Sequence, residues 1–209
     1  MRLPLLVLCV SLFACTASAD EAKKEAKPQT DLPIQAKLVA NKTTYKMNVD
    51  GNKLKQRLEE GKKTNDYPDP PAVDLVLEIT PTTNKEAEFW FIGSSVYVEL
   101  CLEGPGAVTI SRPVQLVYYP PTARTLIPGF KYRISFRKLS HGPNGRGYYS
   151  YWTEPGEYTL TAKFHTGIKS ASKDVKPDEK DFALATLFGQ GFAPVTISSD
   201  SIKIKVEAK

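Results

Sequence analysis

The stretch that decides the fold runs from Trp152 to Phe164 and reads W-T-E-P-G-E-Y-T-L-T-A-K-F. Pro155 and Gly156 form a turn signal, because proline fixes its own φ and glycine adopts positive φ without a Cβ clash. After the turn, apolar and polar side chains alternate, which predicts a strand with one buried and one wet face. The apolar positions are Tyr158, Leu160, Ala162 and Phe164.

The N terminus predicts export. Arg2 precedes a short apolar run, and Ala17-Ser18-Ala19 fits a signal-peptide cleavage site, so residues 1–19 are predicted to be removed and residues 20–33 to form a flexible tether. The apolar run is too short to span a bilayer. A second interpretation is open, in which Leu12–Cys15 is a lipobox and Cys15 is lipidated. The protein is therefore predicted to be periplasmic, envelope-associated or extracellular, with membrane attachment only through Cys15.

Composition limits the classes of protein that fit. The chain has 209 residues with 28 basic and 23 acidic side chains, and their interspersed order argues against a nucleic-acid interface. After cleavage at Ala19 only Cys101 remains, so no internal disulfide is expected. The mature chain is long enough to bury one sizeable core.

The pattern along the chain predicts many short strands and almost no helix. Residues 41–72 are predicted to be an excursion with a short helix over 52–60, ended by the prolines of Tyr67–Pro71. Residues 166–192 are predicted to be a long loop. A last strand, with Lys203 and Lys205 on its wet face, is predicted to lie at a sheet edge. The predicted strands cover residues 34–40, 73–80, 87–91, 96–102, 114–119, 130–136, 158–164, 195–198 and 202–206.

These features predict an all-β protein, an immunoglobulin-like antiparallel β-sandwich with a short helical excursion, in which residues 34–209 form one domain. A Pro-Gly turn followed by Tyr158 is typical of a sandwich corner, where a tyrosine hydroxyl ties a central strand to the preceding loop.

The order of these motifs resembles a known family. Between Val73 and Phe164, the V-D-L-V-L-E-I-T strand, the G-S-S-V-Y-V-E-L strand, the I-P-G turn and the E-P-G-E-Y-T-L-T-A strand resemble the immunoglobulin-like domain of the bacterial intracellular proteinase inhibitor (BsuPI) family. The L-E-G-P-G-A-V and Y-W-T-E-P-G-E-Y-T-L-T-A runs resemble secreted proteins of planctomycete-type bacteria over most of the mature chain. The resemblance implies the fold. It assigns no inhibitory residue, and the export signal departs from an intracellular inhibitor.

Catalytic and metal chemistry have little support in the sequence. His141 and His165 are far apart and have no cysteine or carboxylate at ligand spacing, and the acidic residues of 174–181 lack the spacing of a calcium loop. Cys101 lies within a strand, away from the helix start that lowers a thiol pKa. The sequence therefore predicts a protein that is not an enzyme and needs no metal or cofactor.

The aromatic run after the glycine-rich loop 141–147 is the best candidate for a binding surface. Alternate residues of a strand face opposite ways, so at most half of the run can be buried on one side. Two interpretations are open: the rings cap the sandwich core, which we favour, or they anchor an interface. The candidate binding residues are Arg146, Tyr148, Tyr149, Tyr151 and Trp152.

The function expected from these observations is non-catalytic binding of a protein or cell-surface component through loops 141–152 and 166–192 at one end of the sandwich. One alternative is a protease-inhibitor-like domain that uses the proline-rich turn 120–129. Another is a carbohydrate-binding module, which requires the rings of Tyr151 and Trp152 to be exposed and coplanar. The sequence identifies neither the partner nor the oligomeric state.

Overall fold

The computed structural model describes residues 32–113, 119–145, 147–169 and 191–209. Within them the chain forms thirteen strands, one α-helix, α1 (Gly51–Thr64), and one short 3-10 turn (Pro143–Gly145). The strands are β1 (Ile34–Ala40), β2 (Thr44–Lys46), β3 (Ala72–Pro81), β4 (Ala87–Ile92), β5 (Tyr97–Glu103), β6 (Ala107–Ser111), β7 (Thr122–Leu126), β8 (Tyr132–Lys138), β9 (Ser140–His141), β10 (Tyr148–Trp152), β11 (Gly156–Lys169), β12 (Phe192–Ser198) and β13 (Ile202–Glu207).

The strand predicted from the opening stretch, β11, organises the largest sheet. On one edge it pairs with β13 and then β12, and on the other with β5 and with β4, which continues to β7. A second sheet has the order β1-β3-β8, and a small third sheet has the order β6-β10-β9. All of these pairs are antiparallel; the short β2 lies parallel to β13. The predicted all-β sandwich with a short helix is confirmed.

The core lies between the β1-β3-β8 sheet and the β11 sheet. The alternating apolar residues of β11 are buried, and Leu160, Ala162 and Phe164 have no exposed surface. Across the core, Leu75, Leu77 and Ile79 on β3 are equally buried. Each such side chain contributes roughly 1.5–3 kcal/mol relative to leaving it in water. The period-2 pattern of both strands therefore selects which faces meet.

Tyr158 forms the predicted corner. Its hydroxyl donates to the Glu154 carbonyl at 2.6 Å and also contacts the Pro105 carbonyl, in the turn between β5 and β6. The ring itself is 1% exposed, and burial raises the pKa of the phenol. This one side chain therefore joins the start of β11 to two separate loops.

We expect Tyr158→Phe to lower the free energy of unfolding by about 1–2 kcal/mol, because the ring stays packed while the carbonyls lose their donor. Urea unfolding of the two proteins measures the difference. The matched control is Tyr119→Phe, whose ring is 53% exposed, and it should change stability by less than about 0.5 kcal/mol. Equal stability of Tyr158→Phe and the wild type would contradict this role for the corner.

The helix α1 begins earlier and ends later than the predicted range 52–60. Asp50 caps its first turn by accepting hydrogen bonds from the amides of Asn52 and Lys53, at 3.0 and 3.2 Å. Asn65 ends the helix with a left-handed φ of 57°. These caps satisfy backbone amide and carbonyl groups at the two ends of the helix. The spacing of Leu54 and Leu58 predicts that a helix forms but does not predict where it begins and ends.

Three predictions of strand position need correction. Residues 166–169 belong to β11 and Phe192 begins β12, so the predicted loop 166–192 is too long at both ends. Residues 170–190 lie outside the described part. The strand with Lys203 and Lys205 is covered by β2, so it is not an edge. β2, β6, β7 and β9 lie where no strand was predicted. The T-A-R-T-L sequence of β7 has little apolar alternation. Residues 114–118 of the predicted 114–119 strand lie outside the described residues.

Residues Leu32–Lys209 form one compact unit. Leu32 and Pro33, at the end of the predicted tether, accept hydrogen bonds from Thr82 at 2.7 and 2.9 Å. The signal peptide 1–19, the rest of the tether and the lipidation candidate Cys15 lie outside the described residues. No helix in the described part is long and apolar enough to cross a membrane.

Candidate functional site

The aromatic strand β10 separates two apolar clusters. Tyr149 and Tyr151 face α1, where Tyr151 is buried with Leu54 and Leu58. Trp152 faces the opposite way and belongs to the main core. The alternation of a strand thus divides the run between two packing surfaces, as expected if successive side chains point to opposite faces.

Tyr151 and Trp152 are core residues, which corrects their place among the candidate contact residues. They are 0% and 3% exposed. The Tyr151 hydroxyl donates to the Pro68 carbonyl at 2.6 Å, and the Trp152 ring lies 5.5 Å from the ring of Tyr45. The carbohydrate alternative required these two rings to be exposed, so it has no platform at this position.

Tyr148 and Tyr149 remain at least partly accessible. Tyr149 accepts a hydrogen bond from Arg112 at 2.7 Å, and the guanidinium lies 4.7 Å from its ring centre. Tyr148 is 36% exposed and stacks on His141 with 5.4 Å between ring centres. The remaining candidate, Arg146, lies outside the described residues.

A cleft of about 640 Å³ opens beside the loop that contains His141, Gly142 and Gly145. It lies between β4 and β5 on one side and β8 on the other. We call it the side cleft. Its wall on β8 carries Ile134 and Phe136, and its rim carries Ile92 and Tyr119, which are 55% and 53% exposed. The other described lining residues are Phe91, Gly93, Val96, Tyr97, Val98, Pro120, Thr122, Tyr132, His141, Gly142, Gly145 and Phe164. Apolar and aromatic surface therefore dominates this concavity.

His141 is the buried polar group of the side cleft. The imidazole is 2% exposed, its Nε2 lies 3.1 Å from the Ser150 hydroxyl, and its Nδ1 has no hydrogen-bond partner among the described residues. Burial lowers the pKa of His141 to about 4, with Glu99 acting weakly in the opposite direction. The ring is therefore neutral at pH 7, and its Nδ1 is buried.

One side of the side cleft is a sheet edge. Within the described residues β8 pairs with β3 alone, so it is the last strand of its sheet there. Tyr132, Ile134 and Phe136 point into the cleft while Arg133 and Arg137 point outward to Glu78 and Asp74, at 2.9 and 2.7 Å. In the part of the chain that is described, the outer edge of β8 thus lies beside an apolar concavity.

A second concavity of about 910 Å³, the end groove, lies between α1, β2, β13 and residues 68–72. Lys42, Lys46 and Arg57 are exposed around it, while Lys138 is neutralised by Asp69 at 3.0 Å. Most of the lining residues belong to the excursion 41–72, and Trp152 lies beside Tyr45 in the wall of the groove.

The other candidates for chemistry have structural surroundings. His165 stacks on Tyr97 with 4.3 Å between ring centres and meets Thr196 at 3.0 Å. Burial raises the pKa of the Cys101 thiol, so it is not an activated nucleophile. Within the described ranges no three ligating side chains form a metal-sized group. Of the turn 120–129 suggested for protease inhibition, residues 122–126 belong to β7.

The residues that line the side cleft come from distant parts of the sequence, and sequence reasoning missed most of them. Ile92, Tyr119 and Ile134 are brought together by the β4–β7 and β3–β8 pairings. Only the loop that contains His141 was included in the predicted surface. Large apolar residues at strand ends, such as Ile92, were the one available signal.

Comparisons with family profiles, curated proteins and solved structures returned no match for this chain. The resemblance to the BsuPI family therefore stays a prediction. The function of the side cleft has to be argued from its geometry.

Proposed function

We propose that this protein is an exported, non-catalytic binding domain that receives an extended segment of a protein partner at the β8 edge. The observation that carries the proposal is that β8, the last strand of its sheet among the described residues, lies beside the apolar side cleft. An added strand gains backbone hydrogen bonds from β8, and its alternate side chains enter the cleft.

The chemistry of the cleft selects the segment. Phe136 is buried and Ile134 is half-buried, so side chains placed against them must be apolar or aromatic to replace the water. The rim adds two partly exposed side chains, those of Tyr119 and Ile92. Binding removes their apolar surface from water. The preferred segment therefore has apolar residues at every second position.

Charged residues on β8 and just before it limit which extended chains can pair with this strand. Lys131 and Arg133 both bind Glu78, at 2.7 and 2.9 Å, and these contacts hold the pKa of Glu78 below its usual value. Charged side chains on an edge strand discourage indiscriminate pairing between sheets. This favours a specific segment that also fills the cleft over any extended chain.

The test uses random peptides displayed on phage and selected against the full chain. Enriched peptides are synthesised with a fluorophore, and their affinities are measured by anisotropy. The cleft variant Ile92→Ser/Tyr119→Ser should raise Kd by about tenfold, because both positions are exposed and contribute contact area rather than core packing. Hydrogen exchange should slow at residues 132–138 when peptide is bound.

The matched control is the tip variant, Ile127→Ser/Phe130→Ser, which removes two comparably exposed apolar side chains from the β7–β8 turn. It should bind the selected peptides like the wild type. Failure to enrich any peptide family overturns the proposal. Peptides that bind the cleft variant with unchanged affinity, and leave exchange in β8 unchanged, overturn it as well.

A further inference from the structure

The turn between β7 and β8 exposes two large apolar side chains. Ile127 and Phe130 are 47% and 66% exposed, and Phe130 is the most exposed large apolar residue in the part of the chain that is described. The turn is closed by a hydrogen bond from the Phe130 amide to the Ile127 carbonyl at 3.1 Å. Gly129, with φ 85° and open space at its Cβ position, lies at the apex. The two side chains therefore project from a fixed turn.

The chain enters the domain at the same end. In the register of the sheets, Ile34 faces Pro81, and Tyr132 faces Ile79, which is two residues away on the same strand. Leu126 likewise faces Ala87, just after the turn 82–86. We call this pole, which contains residues 32–33, 82–86 and 127–131, the entry end. Residues 1–31 precede it in the sequence.

The charge of the entry end favours an anionic surface. Its two turns contain two basic residues, Lys85 and Lys131, and one acidic residue, Glu86. Lys85 forms no ion pair with a described residue, and Lys131 shares Glu78 with Arg133. Basic residues beside protruding apolar side chains are the combination that binds the headgroups and the acyl boundary of an anionic bilayer.

We propose that the entry end docks on an anionic membrane surface, with Ile127 and Phe130 inserted at the interface and Lys85 and Lys131 among the headgroups. The position of the preceding chain supports the bilayer as the occupant. Residues 16–31, between the candidate Cys15 and the domain, span at most about 55 Å when fully extended. This length lets the entry end reach a bilayer to which Cys15 is anchored. The proposal does not depend on the side cleft.

The test measures sedimentation of the predicted mature chain, residues 20–209, with vesicles of phosphatidylglycerol and phosphatidylethanolamine, compared with vesicles of phosphatidylcholine alone. These residues lack both the apolar run and Cys15, so neither the signal peptide nor an acyl chain contributes. The wild type should bind the anionic vesicles, and the tip variant should bind about tenfold more weakly, since two side chains lose their apolar contact. The cleft variant is the matched control, with two apolar residues of similar exposure, and should bind like the wild type.

A second measurement places the tip directly. In Phe130→Trp, tryptophan emission should shift to the blue and be quenched by brominated lipids when anionic vesicles are added. Trp90 and Trp152 are buried and provide a constant background. Wild-type protein that binds neither vesicle overturns the proposal, as does equal binding by the tip variant. Concentration-dependent dimerisation that the tip variant abolishes, without vesicle binding, assigns the surface to a second copy and also overturns it.

Discussion

Replacing Trp152 by alanine is expected to lower the free energy of unfolding by about 3–5 kcal/mol, the cost typical of removing a buried aromatic side chain. Trp152 is 3% exposed and lies 5.5 Å from Tyr45 and 6.2 Å from Tyr158, measured between ring centres. It therefore joins the excursion, through Tyr45, to the corner of the sandwich. Alanine leaves a cavity where these three parts of the chain meet, and urea unfolding measures the loss.

Tyr148→Ala is the control within the same strand. Tyr148 is 36% exposed and stacks on one side only, so its removal should cost less than about 1 kcal/mol. Equal losses in the two variants would contradict the division of β10 between core and surface. A Trp152→Ala protein as stable as the wild type, but deficient in peptide binding, would return Trp152 to the interface.

The strands with strict alternation could be predicted from the sequence because their burial follows a simple period. In β11, the four positions Tyr158 to Phe164 face the core as the alternation requires. The tyrosine corner was predictable for the same reason, since its hydroxyl meets groups close to it in the turn. Where the pattern is weak, as in β7, the strand exists because β4 supplies its hydrogen bonds. No local preference of T-A-R-T-L reveals that partner.

The aromatic run shows why the candidate site was harder to predict. A strand normally has one wet face, and on that assumption half of the residues 148–152 must be exposed. Instead α1 packs over the outer face, and Tyr151 becomes as buried as any core residue. The sequence indicates the helix and the strand separately, but their contact depends on how residues 41–72 fold back. The side cleft likewise depends on sheet pairings between distant segments.

The three surfaces have different positions on the sandwich. The end groove lies near the start of β11, because β2 and Gly156 both face Val206. The entry end lies at the other pole, and the side cleft opens along the edge between them. If the entry end contacts a membrane, the β8 edge stays accessible to a partner while the domain is docked. The tip and cleft variants therefore test the two proposed activities separately.

The stability of the protein is expected to fall by about 3 kcal/mol as the pH drops from 6.5 to 4, because of His141 alone. Burial lowers the pKa of this histidine from 6.5 to about 4 in the folded protein. Between these values the unfolded chain binds a proton that the folded chain does not, so acid favours unfolding. The contribution is fully present above pH 6.5 and is lost as the pH falls to 4.

His141→Gln isolates this contribution, since glutamine does not titrate and can still reach the Ser150 hydroxyl. Urea unfolding at intervals from pH 4 to 7 should show a shallower loss of stability in the variant than in the wild type. Every other titratable group is common to both proteins, so the difference between the curves belongs to the imidazole. Parallel curves would mean that the imidazole has the same pKa in the folded and unfolded chains. Burial would then not keep the proton off the ring, and the desolvation of His141 inferred for the side cleft would be wrong.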